Sequence, residues 1–81
     1  MSSDSLVRLG RAIRALREER GLKQIELATA AGTSEAHVSR VESASTSAGW
    51  DLVMRLLDGM EATLADLTDA YTRVEGGELR D

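Results

Sequence analysis

Polar side chains able to contact a ligand are concentrated in residues 32–42, GTSEAHVSRVE, where large apolar side chains are few. Val38 and Val41 are the two large apolar residues, and at a spacing of three they form one narrow stripe of a helix. The remaining positions offer carboxylate, imidazole, hydroxyl and guanidinium groups, from Glu35, His37, Ser39 and Arg40. We therefore expect most of this short helix to face solvent or a polar partner.

Catalysis and metal binding require several reactive groups within mutual reach. His37 is the single histidine of the chain, and the sequence contains no cysteine. It also lacks a glycine loop of the kind that holds phosphates in nucleotide-binding enzymes. We therefore expect no enzymatic activity, no metal site and no cofactor, and we expect His37 to lie at the surface or beside a phosphate.

Length and composition indicate one small helical domain. The chain has 81 residues, no proline and two aromatic residues, Trp50 and Tyr71. Leucine, alanine, arginine and glutamate are abundant, and these residue types favour helix. No apolar run approaches the ~20 residues that a membrane span needs. The N-terminal stretch has no signal-peptide core, so we expect a cytoplasmic protein without a membrane partner.

Charge is distributed unevenly along the chain, whose formal net charge is −4. Residues 1–42 hold seven basic and six acidic side chains, whereas residues 43–81 hold three basic and eight acidic ones. Any basic surface therefore lies in the first half. The acidic second half would have to face away from a nucleic acid, or would suit a basic protein partner.

Apolar spacing predicts five helices and no strand, which is an all-α fold. Asp4 or Ser5 can cap the first helix, and Thr63 with Asp66 resembles a capping box that opens the last. Gly76 and Gly77 are expected to break the last helix. The predicted helices cover residues 5–20, 24–31, 34–43, 50–60 and 63–75, in a domain of residues 1–75 followed by a flexible tail of residues 76–81.

The predicted core follows the same spacing in every helix. Leu64 and Leu67 are expected to fill it from the last helix, whereas Tyr71 and Val74 come after the expected core and are the candidates for a dimer interface. The other core positions are Leu6, Leu9, Ile13, Leu16, Leu27, Ala28, Ala31, Val38, Val41, Trp50, Val53, Leu56, Leu57 and Met60.

The second and third helices are joined by a glycine turn, which is the anatomy of a helix-turn-helix. Ala28 is small where the two helices cross, Gly32 suits a positive φ, and Ser34 can cap the third helix. The segment LGRAIRALREERGLKQIELATAAGTSEAHVSRVE closely resembles the lambda-repressor-like, Cro/Xre-type helix-turn-helix family, and LVMRLLDGMEATLADL resembles that family's helices 4 and 5. The resemblance covers roughly residues 6–70.

The resemblance implies a compact five-helix domain that binds double-stranded DNA as a homodimer, with helix 34–43 in the major groove. Carried over by position, Glu35, Ala36 and Arg40 contact bases. Arg40 can donate two hydrogen bonds to guanine, worth about 1–3 kcal/mol of discrimination. Glu35 suits either a cytosine amino group or the positive end of its helix, and Ala36 suits either a thymine methyl group or helix formation.

Phosphate contacts would position that helix without reading sequence. The candidates are Lys23, Gln24, Ser34, His37 and Ser39. Gln24 begins the second helix, where backbone N–H groups and the helix dipole attract an anion. The resemblance also implies a structural ion pair between Arg17 and Glu42. Arg8 and Arg11 are expected to belong to a solvated face of the first helix.

One loop and one single residue depart from the family pattern. The loop of residues 43–49, SASTSAG, carries no charge, so phosphate affinity from this loop is expected to be low. Glu61 stands where the family commonly has glycine after helix 4, and that junction is expected to have a different shape.

The leading functional hypothesis is a transcription regulator, specifically a repressor that binds a palindromic operator as a homodimer. The alternative is an antitoxin-like module that neutralises a partner protein, such as a toxin, and regulates its own operon. The acidic C-terminal residues Glu75, Glu78 and Asp81 would suit a basic partner, or would belong to a solvated tail.

Overall fold

Five α-helices and no strand make up residues 4–77, the part of the chain that the computed structural model describes. The predicted all-α, five-helix fold is confirmed. The helices are α1 (Asp4–Glu19), α2 (Gln24–Ala31), α3 (Glu35–Glu42), α4 (Trp50–Gly59) and α5 (Leu64–Gly77). Helix α5 packs along α1, α4 packs on α2, and α3 contacts both α1 and α2.

The last helix ends later than predicted. Helix α5 continues through Gly76 and Gly77, because a glycine that keeps helical dihedral angles costs only about 1 kcal/mol and does not by itself stop a helix. Residues 78–81 of the predicted tail lie outside the described residues.

The start of α5 has the predicted capping box. The Thr63 N–H donates to Asp66 Oδ2 at 2.9 Å, and the Asp66 N–H donates to Thr63 Oγ1 at 3.0 Å. Hydrogen bonding of the carboxylate to the Thr63 backbone N–H, and after it to the Thr63 side chain, holds the pKa of the Asp66 carboxyl below its usual range. The box therefore stabilises the first turn of α5 as long as Asp66 is ionised.

Helices α1 to α4 all end in the same left-handed turn. A residue with positive φ follows each of them: Gly21 at 70°, Gly32 at 72°, Ala44 at 61° and Glu61 at 55°. After α4 the turn is closed by the Ala62 N–H, which donates to the Leu57 carbonyl at 2.9 Å. Glu61 therefore adopts the left-handed conformation that Gly21 and Gly32 adopt after α1 and α2, at a cost of about 1 kcal/mol for a residue with a side chain.

The core is built by α1 to α4 and closed by α5. Its largest fully buried side chains are Ile13, Leu16, Leu27, Val38, Val41, Leu56 and Leu57, and α5 adds Ala70 and Val74. Val74 is only 3% exposed, so the expectation that it lies beyond the core is wrong. Because α5 packs along α1, the third turn of α5, which carries Val74, still contacts the core.

Two residues that were expected in the core are at the surface instead. Trp50 is 67% exposed and Leu64 is 43% exposed. Each is the first residue of its helix. At that end of the helix, a residue on the inward-facing side does not yet contact the core. Leu67, one turn later than Leu64, is partly buried against the core as expected.

Gly10 allows the end of α3 to lie directly on α1. A Cβ at this position would be 2.6 Å from the Val41 carbonyl oxygen and 2.7 Å from the Glu42 carbonyl oxygen. Both distances are far shorter than a carbon–oxygen contact permits, and both oxygens are backbone atoms that cannot rotate away. The end of α3 can therefore approach α1 this closely only because residue 10 has no side chain.

We expect Gly10→Ala to lower the free energy of unfolding by about 2 kcal/mol, because overpacking moves α3 away from α1. Chemical denaturation of the purified variant measures this loss. Gly49→Ala is the matched control, since no atom other than those of Gly49 and its two chain neighbours lies within 4 Å of a Cβ at that position. Equal stability of the Gly10 variant and the wild type would show that α3 is not held at this contact.

Candidate nucleic-acid interface

Helix α3 is held by its apolar stripe and leaves its polar side outward. Val38 and Val41 are each 1% exposed and attach α3 to the domain. Ser34 caps the helix, because its Oγ accepts a hydrogen bond from the His37 N–H at 3.1 Å. The residues predicted to contact bases lie together on the exposed side, as does one of the phosphate candidates: Glu35, Ala36, Ser39 and Arg40 are all exposed.

Arg40 presents a guanidinium that nothing in the described residues neutralises. Its side chain is exposed and forms no ion pair or hydrogen bond within residues 4–77. Arg55 and Arg73, by contrast, pair with Asp51 and Glu19 at 3.1 and 2.7 Å. Arg40 is therefore free to donate its fork of N–H groups to an outside acceptor.

Glu35 is the counterpart of Arg40 on the same helix. Its carboxylate is exposed in the first turn of α3 and has no ion-pair partner among the described side chains. A carboxylate in a first turn stabilises the helix, and it can also accept a hydrogen bond from a cytosine amino group. Both predicted roles suit the observed position.

At the start of α2, not every backbone N–H group is free to bind an anion. The backbone N–H of Lys23 donates to Glu26 Oε1 at 2.7 Å. The Glu26 carboxylate therefore occupies one of the donors at this helix start and adds a negative charge there. The Lys23 side chain is exposed beside it. Its ammonium group can balance the Glu26 charge and so allow a phosphate to bind.

His37 is held by the turn rather than by α3 alone. Its Nδ1 lies 3.0 Å from the Thr33 Oγ1, and the residue is partly buried. This contact fixes the ring, so that Nε2 is the nitrogen left to meet a phosphate. Among residues 4–77 the structure has no cluster of three or more histidine or acidic side chains that could hold a metal ion.

A buried ion pair joins the end of α3 to α1. Arg17 Nε donates to Glu42 Oε2 at 2.7 Å, and Arg17 Nη2 donates to Glu42 Oε1 at 3.1 Å. Arg17 Nη1 also donates to the Leu22 carbonyl at 2.7 Å, and both charged residues are 8% exposed. The hydrogen bond to Glu42 raises the pKa of Arg17 above its ordinary value. The guanidinium therefore binds the Glu42 carboxylate in a bidentate arrangement, through two hydrogen bonds.

Gln24 is the third member of this network. Its Nε2 donates to Glu42 Oε1 at 3.0 Å, so the predicted phosphate-binding amide is oriented by the ion pair. The amide has a second N–H, which remains for an outside acceptor. Sequence reasoning missed this link, although a signal existed: a carboxylate accepts more hydrogen bonds than Arg17 supplies, and a buried one requires further donors.

Arg55 positions the turn between α2 and α3 from the opposite side. Its Nη1 donates to the carbonyl oxygens of Ala31 and Gly32 at 3.2 and 3.4 Å, and its Nε donates to Asp51 Oδ2 at 3.1 Å. A guanidinium at the negative end of a helix satisfies carbonyl groups that lack helical partners. This role was not predicted, because the two segments are separated by more than 20 residues.

We expect Glu42→Ala to lower the free energy of unfolding by about 3–5 kcal/mol, because it leaves the Arg17 charge buried and unpaired. Thermal and chemical unfolding measure the loss. The matched control is Glu18→Ala, which removes the partner of Arg14 in an ion pair whose side chains are 62% and 56% exposed. That change should cost less than about 1 kcal/mol. Similar losses for both variants would mean that the buried pair does not hold α3.

None of the helices within residues 4–77 has the length and apolar character needed to cross a membrane. No protein of the curated collections matches the chain.

Comparison with solved structures gives the fold independently. A mutant of the restriction-modification controller protein C.Esp1396I superposes with a TM-score of 0.87 at 19% identity, covering 95% of this chain and 98% of that one. The controller protein C.AhdI from Aeromonas hydrophila gives 0.76 at 26% identity, with coverages of 80% and 98%. The clp gene regulator ClgR from C. glutamicum gives 0.80 at 24% identity, with coverages of 86% and 91%.

The family model described as a helix-turn-helix domain matches residues 8–71 of the chain. These residues include the ion pair, the glycine turn and the whole of α3, and the chain shares the fold of the regulators named above. The chain therefore belongs to the helix-turn-helix domain family, and its resemblance to the lambda-repressor-like, Cro/Xre-type members is confirmed.

Proposed function

We propose that this protein is a DNA-binding transcription regulator that acts as a repressor, binding a palindromic operator as a homodimer with α3 in the major groove. One observation carries the proposal: the exposed side of α3 presents an unpaired Arg40 guanidinium beside Glu35 and Ala36. These are the side-chain types that read guanine, cytosine and thymine edges in the major groove.

Local pairing of charges explains how an acidic chain can bind a polyanion. On α4 and α5, Arg55 and Arg73 are each neutralised by carboxylates. On the helix-turn-helix unit, the side chains of Lys23 and Arg40 are exposed and have no carboxylate partner among the described residues. The side chains of Lys23 and Arg40 are therefore free to bind acceptors of the DNA that passes this unit.

Dimerisation follows from the way a helix-turn-helix reads DNA, since two copies of α3 one helical turn apart read two half-sites of a palindrome. With Val74 in the core, the dimer surface that we propose is the side of α5 that carries Leu64 and Tyr71. These two residues are seven positions apart, which places them on one side of the helix. The Arg8 guanidinium lies 4.0 Å from the centre of the Tyr71 ring and fixes it in place. Repression would then require only that the bound dimer cover a promoter.

Selection from a random DNA library tests the proposed reading of bases. We expect the wild type to enrich a palindromic motif, and Arg40→Ala to lose a guanine preference at one position in each half-site, with binding weaker by about 1–3 kcal/mol. Arg73→Ala is the matched control, because it removes the same charge from α5 and should leave the motif unchanged. No enrichment by the wild type would contradict the proposal, and would favour a module that binds another protein, such as a toxin.

Sedimentation analysis of Leu64→Asp tests the proposed dimer surface. Aspartate suits the first position of a helix, so the monomer should fold while the dimer dissociates at concentrations where the wild type remains associated. Ile25→Asp is the matched control, since Ile25 is 48% exposed but lies on α2. A wild type that stays monomeric at high concentration, or a Leu64 variant that dimerises equally well, would contradict this surface.

A further inference from the structure

A polar groove of about 500 Å³ lies between α1 and the end of α3, lined by Arg11, Arg14, Ala15, Glu18 and Glu42. We propose that this groove, the α1 groove, binds a DNA backbone phosphate at the edge of the half-site, with Arg11 and Arg14 as the contacting residues. The inference rests on the proposed function. It extends the interface to α1, where the sequence had led us to expect Arg11 on a solvated face.

The α1 groove is continuous with the candidate interface. Glu42 lines the groove and also accepts the hydrogen bond from Gln24, the first residue of α2. Gly10 brings the backbone of Glu42 against α1, so the next residue, Arg11, lies at the end of α3. A DNA strand that passes the start of α2 would therefore meet the groove next.

The charge of the groove suits a phosphate. Glu42 is already neutralised by Arg17 at 2.7 Å. The Arg11 side chain has no ion pair within residues 4–77, and its Nη1 is buried without a hydrogen-bond partner. A buried donor without an acceptor is unfavourable, and rotation of the guanidinium toward a phosphate oxygen would satisfy it.

Arg14 can be released to the same ligand at little cost. Its partner is Glu18, at 3.2 Å, in an ion pair between consecutive turns of α1 whose side chains are more than half exposed. Such pairs contribute little to stability, so a phosphate can replace Glu18. The neighbouring loop of residues 43–49 has no charged side chain, which leaves α1 to supply the cations on this side of α3.

Backbone contacts of this kind change affinity and its salt dependence but not the bases that are read. The test is the dissociation constant of the full chain for its selected duplex over a range of salt concentrations. We expect Arg11→Gln and Arg14→Gln each to make the plot of log K against log salt shallower, and the two substitutions together to do so by about 0.9, the value for one phosphate. The selected motif should stay the same, in contrast to Arg40→Ala.

Of two neighbouring acidic residues, Glu18 provides a substitution with the opposite expected effect and Glu19 provides its matched control. Glu18→Gln frees Arg14, so it should tighten binding several-fold and steepen the salt dependence. Glu19→Gln changes the net charge equally, but Glu19 pairs with Arg73 at 2.7 Å on the α5 side. We expect Glu19→Gln to have a much smaller effect on both quantities.

Unchanged slopes in Arg14→Gln and Glu18→Gln would overturn the α1 groove, as would equal effects of Glu18→Gln and Glu19→Gln. Thermal unfolding checks whether Arg11→Gln folds, and if it does not, the Arg14 and Glu18 variants decide. A wild type that selects no duplex would overturn the proposed function and the groove with it. A wild type that binds while its variants keep its salt dependence would overturn the groove alone.

Discussion

The buried Arg17–Glu42 ion pair is the interaction on which the candidate interface depends. It joins the last turn of α1, the turn at Leu22, and the end of α3, and through Gln24 it also reaches the start of α2. Two charges removed from water are stable only when their hydrogen-bonding capacity is filled. That requirement leaves little freedom in the angle and depth of α3. Specificity of position, rather than net stability, is what such a pair contributes.

The outward side of α3 follows from that placement. Its apolar stripe consists of Val38 and Val41 alone, and the side chains on the opposite side, Glu35, Ala36, Ser39 and Arg40, are exposed. The left-handed turn after α1 fixes the start of the helix-turn-helix unit, and the left-handed turn after α2, with the contact of Arg55 with Ala31 and Gly32, fixes the turn at its centre. An acidic protein can present cations in this way because Arg55 and Arg73, on its acidic second half, are paired locally with carboxylates.

The helices and the polar side of α3 could be predicted from the sequence, because apolar spacing, capping residues and glycine turns are local signals. The extent of the core could not. Spacing identifies the side of a helix that faces inward, but Trp50, Leu64 and Val74 show that it does not say where along the helix burial begins or ends. Gly10, the Gln24–Glu42 hydrogen bond and the Arg55 contact were missed for a related reason, since each depends on two segments whose approach exists only in the folded chain.

The most direct test of the candidate interface is an NMR titration of the backbone amides of the full chain with the duplex recovered by selection. We expect the largest chemical-shift changes at residues 23–26 and 34–43. Changes in α4 and on the exposed side of α5 should be smaller, because the dimer binds DNA without rearranging. Changes confined to α4 and α5, with α3 unaffected, would contradict a DNA-reading α3 and would identify the acidic half of the chain as the binding surface.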